Sequence, residues 1–453
     1  MRKDRFVMKK LVAGILTASL CVSLLAGCGG AGSSAAGTAG TSGSATGAAA
    51  PDVTLTTASM FGGTDPHVAP YMQIMDEFMA EYPNVTIEDE SRAVDETWRA
   101  SIINDFNSGN APDVLYYVHC ADGQAVVDTG GVVDVDTIIA EYPEYAANID
   151  PNAMNAVKTN DGKAYCVPMK GYWEGLFCNT ALFEQYGVKI PETWEELLTA
   201  VETFRANGIV PFSLSLSDIP HYIIEYVFLA NGGVDALRER PKAGDEIPES
   251  WIKGLETLKE LYDLGAFPDD VLSTTDATTN LLFNEGKSAM LVTGSWYPGQ
   301  IPVSDDTGTL VTQDQVTIVP FPSKADATGT PGIVAGWSGG FYISKQAWED
   351  PAKRDYCVKL VMAHTSTKGI ETYCGPELGG VPADTSVPMQ GEGPLVTVGN
   401  DYWQANNANT ADPACDHMNA DPKNILYQGL AKICTGDTTP EELLRTVIDK
   451  GAY

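Results

Sequence analysis

The chain is poor in positive charge. Of its 453 residues, 28 are Lys or Arg and 60 are Asp or Glu, a formal net charge of −32. Such a chain repels a phosphate backbone, and no basic stripe offsets this, so nucleic acid is excluded as a partner. Histidine is scarce: His67, His119, His221, His364 and His417 are the whole complement. They show no H-E-x-x-H and no metal-ligand spacing, and no EF-hand loop occurs, so neither a metal nor another cofactor is expected. The nine cysteines contain no C-x-x-C, which removes zinc-ribbon and thioredoxin-like readings. No internal repeat is present, and no apolar run comfortably reaches the roughly 20 residues of a membrane span. Against these absences stand a 44% hydrophobic fraction, 8 Trp and 19 Tyr. That is the composition of a soluble globular protein, long enough for two or three domains or for one two-lobed unit.

The start of the chain stands apart. Arg2, Lys3, Arg5, Lys9 and Lys10 precede an apolar run from Leu11 to Ala26, which reads as a secretory signal. The run ends in Leu25-Ala26-Gly27-Cys28, which resembles the lipobox of bacterial lipoproteins. That resemblance implies a signal peptide over 1–27 and an acylated Cys28 at the mature N-terminus. The alternative is an uncleaved N-terminal anchor. Either way the body is exported and held at the outer face of the bacterial cell membrane. Loss of 1–27 removes five bases and one acid, leaving 23 against 59 and a net charge of −36. Residues 29–50 hold only Gly, Ala, Ser and Thr. Residues 28–51 therefore read as the lipidated cysteine and a flexible tether, spanning about 5–6 Å times the square root of its length.

From residue 51 strands and helices alternate. Val53 and Leu55 open a strand; Tyr71, Ile74, Met75, Phe78, Met79 and Tyr82 follow at helical spacing and stop before Pro83. Val85 and Ile87 give a second strand, Trp98 to Phe106 a second helix, and Val114–Val118 a strand apolar throughout. This β-α-β-α-β order predicts a parallel sheet. A second α/β unit starts near Ala164–Pro168, with a helix over 194–206 opened by a Thr193/Glu196 capping box. Further helices are expected over 251–264 and 352–364, and from Pro440. The stretches 240–249 and 385–425, rich in Pro and polar residues, read as surface loops. Beyond Cys21 and Cys28, seven cysteines remain. Cys357/Cys374 and Cys415/Cys434 are conceivable pairs, but buried free thiols are expected.

Two catalytic motifs fail on context. Gly336-Trp337-Ser338-Gly339-Gly340 matches G-x-S-x-G, but a nucleophile elbow leads into a helix, and Phe341–Ser344 reads as a strand. Asn284–Ser288 has the tail of a P-loop, yet Leu281 stands where its first Gly belongs. What recurs instead is aromatic residues beside glycines at apparent strand ends. Examples are Met60-Phe61-Gly62-Gly63, Tyr116-Tyr117-Val118-His119, Gly171-Tyr172-Trp173-Glu174-Gly175, Gly294-Ser295-Trp296-Tyr297 and Gly336-Trp337. In open α/β sheets ligands lie at strand carboxyl ends. A sugar needs a ring for its C–H face and polar groups for its hydroxyls, and this set supplies both. Taken singly, each ring suits a core better; the set, beside Gly and Asp65 or Glu174, favours a binding cleft.

Six ordered segments then resemble the family 1 extracellular solute-binding proteins of ABC sugar importers, the maltodextrin-binding type. They are Ser108–Val114 (SGNAPDV), Asp161–Pro168 (DGKAYCVP), Phe177–Phe183 (FCNTALF) and Pro191–Leu197 (PETWEEL). Phe283–Met290 (FNEGKSAM) runs into Gly294-Ser295-Trp296, and Gly339-Gly340 precedes Ile343-Ser344-Lys345. Cys178 departs from the family, where an aromatic is usual before the Asn. The resemblance spans most of 52–453. It implies an α/β fold of the type II periplasmic-binding-protein kind, with two lobes, an interlobe cleft and hinge crossovers. The first lobe is expected over 52–146 and 291–378, the second over 147–290 and 379–453. It further implies a monomeric binding protein, not an enzyme, that takes a carbohydrate and delivers it to ABC permease subunits. Trp296 falls at the family's stacking ring, Tyr117 at a first-lobe aromatic and Tyr222 at a second-lobe one. Phe61, Asp65, His119, Trp173, Glu174, Trp337 and Trp403 are further expected lining residues, with Asp65 and Glu174 accepting from hydroxyls. Two alternatives stay open. One is the same fold binding a polyamine or other small solute, suggested by the acidic charge. The other is a surface glycan hydrolase built on Ser338.

Overall fold

The expected β-α-β-α-β opening is present in the computed structural model, which describes residues 51–453 other than 160, 219, 338, 376–379 and 390–392. The signal peptide, Cys28, most of the tether, and Ser338 lie outside the described residues. β1 (Val53–Ser59), β2 (Val85–Asp89) and β3 (Val114–Val118) pair in parallel in the order β2-β1-β3. The helices Val68–Glu81 and Glu96–Ser108 make the crossovers. Asp95 caps the second by accepting from the Trp98 N–H, and left-handed Gly109 ends it. The strands that follow are β4 (Lys170–Asn179), β5 (Val210–Ser213), β6 (Ser288–Gly294), β7 (Val316–Val319), β8 (Ile333–Gly336), β9 (Gly339–Ile343), β10 (Val381–Pro382) and β11 (Thr410–Ala411). β9 returns antiparallel to β3 and completes a four-stranded sheet, β2-β1-β3-β9. The rest form a second sheet, β11-β8-β4-β6-β5, with β7 and β10 also on β4.

Each sheet has its own core. Leu55, Phe78, Tyr116, Met169, Phe341 and Val387 pack together around the first. Tyr172, Leu176, Trp194, Phe228, Trp251, Phe321 and Leu430 pack around the second, beside a satellite of Trp173, Phe177, Ala335, Leu395 and Tyr402. These partners show where the chain changes lobe. It passes between Met169 and Tyr172, returns between Ala335 and Phe341, and passes again between Val387 and Leu395. The first two crossings run side by side, Val167 bridging Phe341 and Tyr172 pairing Gly336. β10 lies against the first, pairing Val381 with Gly171 and Pro382 with Lys170. Gly340 is required here, because a Cβ would come within 2.8 Å of the Val167 backbone.

The cores do not divide at the expected limits. Residues 147–169 stay with the first lobe through Ile149, Ala153, Val167 and Met169, so Ala164–Pro168 does not open the second unit. Residues 291–335 belong to the second sheet, because β6, β7 and β8 all hydrogen-bond to β4. Ala383 and Val387 remain in the first core. The stretch 385–425 is not all loop: the helix Pro394–Asn406 buries Leu395, Val396 and Tyr402. Its Val-Thr-Val start has poor helix propensity, which packing overrides. The expected Thr193/Glu196 capping box is present, and Thr439/Glu442 form another, with Pro440 at the first helical position. Cys120, Cys166, Cys178, Cys357, Cys374, Cys415 and Cys434 are all free, and all but Cys120 are buried.

Candidate functional site

A cleft of about 670 Å³ opens between the lobes at the carboxyl ends of β1 and β6. The first lobe supplies Met60, Gly62, Thr64 and Asp65 from the loop after β1, and Ala93 and Val94 from the loop after β2. The second supplies Tyr222 at the start of the helix His221–Arg238, Asp276 and Asn280 of the helix Asp276–Asn284, and Trp296 and Tyr297 just past β6. Trp296 is half-buried, with Tyr222 at 6.2 Å and Tyr172 at 6.0 Å between ring centroids. Gly294 makes room for its ring: a Cβ there would lie 2.2 Å from the indole.

The charged groups of this lining are two acids. Asp65 Oδ1 accepts from the His67 backbone N–H and from His67 Nδ1, both at 2.8 Å. Burial acts to raise the Asp65 carboxyl, but these bonds and the Lys170 charge outweigh it and hold it below its ordinary value. Asp276 behaves oppositely. Burial and the neighbouring Asp218 carboxylate push it up to about 6, against a hydrogen bond from Asn280.

Of the ten expected lining residues, Asp65, Tyr222 and Trp296 meet in this cleft. Tyr117 does not: it is fully buried beside Trp98, and its hydroxyl donates to the Arg99 carbonyl at 3.0 Å. Phe61 stacks on Tyr116 at 4.7 Å within the first core, and Trp173 packs between Phe177 and Tyr402 in the satellite core. β3 and β4 are covered on both faces, so rings at both alternations point into packed interior. Trp337 sits in the β8–β9 crossing against the first-lobe cores, and Trp403 is half-buried on the helix Pro394–Asn406. Glu174 lies on β4 opposite Gly294, outside the cleft lining, at 2% exposure. Burial, then Asp416 and Glu225, raises its carboxyl far above the ordinary value, and its Oε2 has no partner among the described residues. His119 lines a separate opening of about 300 Å³, facing His417 and Tyr453 of the second lobe. Asp276 and Asn280 carried no motif that marked them, whereas Tyr172, which backs Trp296, lies in the Gly171–Gly175 aromatic segment, where the expectation falls on its neighbours Trp173 and Glu174 instead.

One buried ion pair joins the lobes. Asp122 of the first accepts from Arg99 at 3.0 Å and from Lys423 of the second at 3.4 Å. Burial opposes the Asp122 charge, and the two cations prevail, keeping its carboxyl below the ordinary value.

The profile of the bacterial extracellular solute-binding proteins matches residues 64–362. The chain belongs to this family. The solute-binding protein is 28% identical over 154 residues to the Multiple sugar-binding protein of Streptococcus mutans, which is 29% of this chain and 36% of that one. To the Melibiose/raffinose/stachyose-binding protein MelE of Bacillus subtilis it is 24% identical over 226 residues, 46% and 50% of the two chains. It thus spans between about a third and a half of these relatives' lengths. Among solved structures it resembles a chitin oligosaccharide binding protein at a TM-score of 0.75 and 24% identity, over 88% of this chain and 98% of that one. It resembles maltose-bound T. maritima MalE3 at 0.70 and 19%, again over 88% and 98%. The two-lobed periplasmic-binding-protein-like fold follows from these matches. An extracellular solute-binding family fits an exported body, and no helix among the described residues is long and apolar enough to cross a membrane. The nucleophile-elbow context is missing here as well: β8 ends at Gly336 and the next element, β9 from Gly339, is a strand rather than a helix.

Proposed function

We propose that the protein captures a carbohydrate, in the size range of an oligosaccharide, and presents it to the permease of an ABC importer without chemistry. The observation that carries this reading is the cleft itself. Trp296 and Tyr222 offer ring faces from one lobe while Asp65 offers a carboxylate from the other. A sugar bridging the two engages both lobes only when they are closed, so it shifts the hinge equilibrium by its differential affinity. The closed monomer is then the form a permease selects. The relatives' named sugars support the ligand class. Acylation of Cys28 and the tether behind it would keep the body near the membrane.

Thermal denaturation of the full-length protein against a broad sugar panel tests this. At least one oligosaccharide should raise the melting temperature, and no shift across the panel overturns the carbohydrate reading. Native mass spectrometry of co-purified ligand identifies the sugar. Mass analysis of detergent-extracted protein checks the lipid: a species beginning at Cys28 with added acyl mass is expected. A second reading rests on the lining's charges, Asp65 and Asp276: among the described residues no Lys or Arg lines the cleft wall, and the Lys170 charge reaches Asp65 only from behind it. It predicts that spermidine, rather than a neutral sugar, gives the shift.

A further inference from the structure

A buried chain of polar contacts runs from the cleft to the lobe crossing. His67, at 3% exposure, is the residue before the helix Val68–Glu81. Its Nδ1 meets Asp65 Oδ1 at 2.8 Å, and its Nε2 meets Lys170 Nζ at 2.5 Å. Lys170, at 7% exposure, is the first residue of β4 and pairs with Pro382 of β10. It therefore sits where two crossing segments lie side by side. The groups facing His67 are Asp65, Lys170 and the rings of Phe61 and Tyr373 at 5.4 and 6.5 Å. Cys374 lies beyond the lysine.

The contacts need one hydrogen each. An ammonium has only donors, so with Lys170 charged Nε2 must accept, and the neutral ring then carries its proton on Nδ1 and donates to Asp65. Burial weakens both bases, and the other placement, a neutral amine beside an imidazolium, moves the proton to the one that is ordinarily the weaker. Oδ1 of Asp65 is thus occupied by two donors. Oδ2 takes no hydrogen bond among the described residues, and the side chain is 32% exposed in the cleft.

We propose that His67 and Lys170 are positioning residues, which fix Asp65 as a hydrogen-bond acceptor on the first-lobe wall and tie it to the strands that cross between the lobes. The ligand is then required to present a donor, such as a hydroxyl, to Oδ2. This last step rests on the carbohydrate reading; the proton placement does not.

The test has two arms. Imidazole nitrogen-15 spectra of the full-length protein have five histidines to resolve. Without ligand, His67 should be protonated on Nδ1 and bare on Nε2 from about pH 5 to 8, and Lys170→Met should abolish that fixed tautomer. A wild-type ring protonated on Nε2, alone or together with Nδ1, overturns the proposal. In the second arm maltotriose, chitotriose and stachyose are the calorimetric probes. For whichever binds, His67→Leu and Lys170→Met should each weaken binding about tenfold. His67→Asn, which keeps a donor near the Nδ1 position, should recover part of that loss. Unchanged affinity in a His67→Leu protein of wild-type melting temperature also overturns the proposal. If none of the three binds, the carbohydrate reading is what suffers, and the spectra still decide the positioning role.

Discussion

At the scale of single residues, exposure separates rings that line the cleft from rings that pack a core. Trp296→Ala should weaken sugar binding on the order of tenfold by calorimetry, with little change in melting temperature, because a half-buried stacking face is lost. Tyr117→Phe should do the reverse. Binding stays, and stability falls by about 1 kcal/mol as the bond to the Arg99 carbonyl disappears. Asp276 supplies a pH test. Its folded pKa, about 6, is above the ordinary 3.8, so its protonated form favours the fold. That contribution is complete below about pH 3.8 and is lost as pH rises through 6. Asp276→Asn should therefore raise the melting temperature at pH 7.5 and leave it nearly unchanged at pH 3.5. Equal effects at both values would contradict the assignment. That Trp296 lines the cleft could be expected from the Gly294-Ser295-Trp296 segment, and Tyr222 from its spacing between Ile209 and Gly233. Phe61, Tyr117 and Trp173 misled because a ring beside a glycine looks the same whether the next layer is solvent or a packed helix.

At the scale of elements, local chemistry was the readable part. Thr193 with Glu196 and Thr439 with Glu442 announce helix starts through contacts within one turn. Thr439→Ala should cost about 1 kcal/mol in chemical denaturation. Contacts made at long range were not readable. The helix His221–Arg238 changes direction at Gly233, whose φ of 58° and ψ of −163° are outside helical values. A Cβ there would fall 2.1 Å from the Thr330 carbonyl oxygen, nearly a hundred residues away. Gly233→Ala should thus destabilise by more than the roughly 1–3 kcal/mol of a strained backbone, read as a lowered denaturant midpoint. The helix Pro394–Asn406 was missed for a related reason, since its stability comes from burying Leu395, Val396 and Tyr402 rather than from its own propensities.

At the scale of the molecule, the β-α-β opening and the two-lobed plan could be anticipated, but the crossing points could not. They depend on which core accepts Met169, Ala335 and Val387, a matter of partners distant in sequence. The Asp122 site is a lobe-to-lobe contact of the same origin. Lys423→Met should favour the open form, because the second lobe then offers no counter-charge to Asp122, while Arg99 still satisfies the carboxylate within the first. Small-angle scattering of the ligand-free protein should show a larger radius of gyration. Ligand affinity should fall by the fraction of closed form lost. An unchanged radius and affinity would show that the pair does not weigh on closure.

The six buried thiols set a clock. Cys166, Cys357 and Cys374 lie in the first-lobe cores, and Cys178, Cys415 and Cys434 in the second. Burial pushes Cys166 and Cys434 up to about 12 and Cys374 to about 11, so almost no thiolate exists in the folded protein at neutral pH. Oxidants and alkylating reagents reach them only through chain opening. Half-buried Cys120 should react first, and the other six together, at the rate of unfolding once the reagent is concentrated enough to outpace refolding. For a protein whose described cysteines are all free, survival under oxidant then follows chain opening: the equilibrium amount unfolded governs it when refolding outruns the reagent, and the unfolding rate when the reagent is faster.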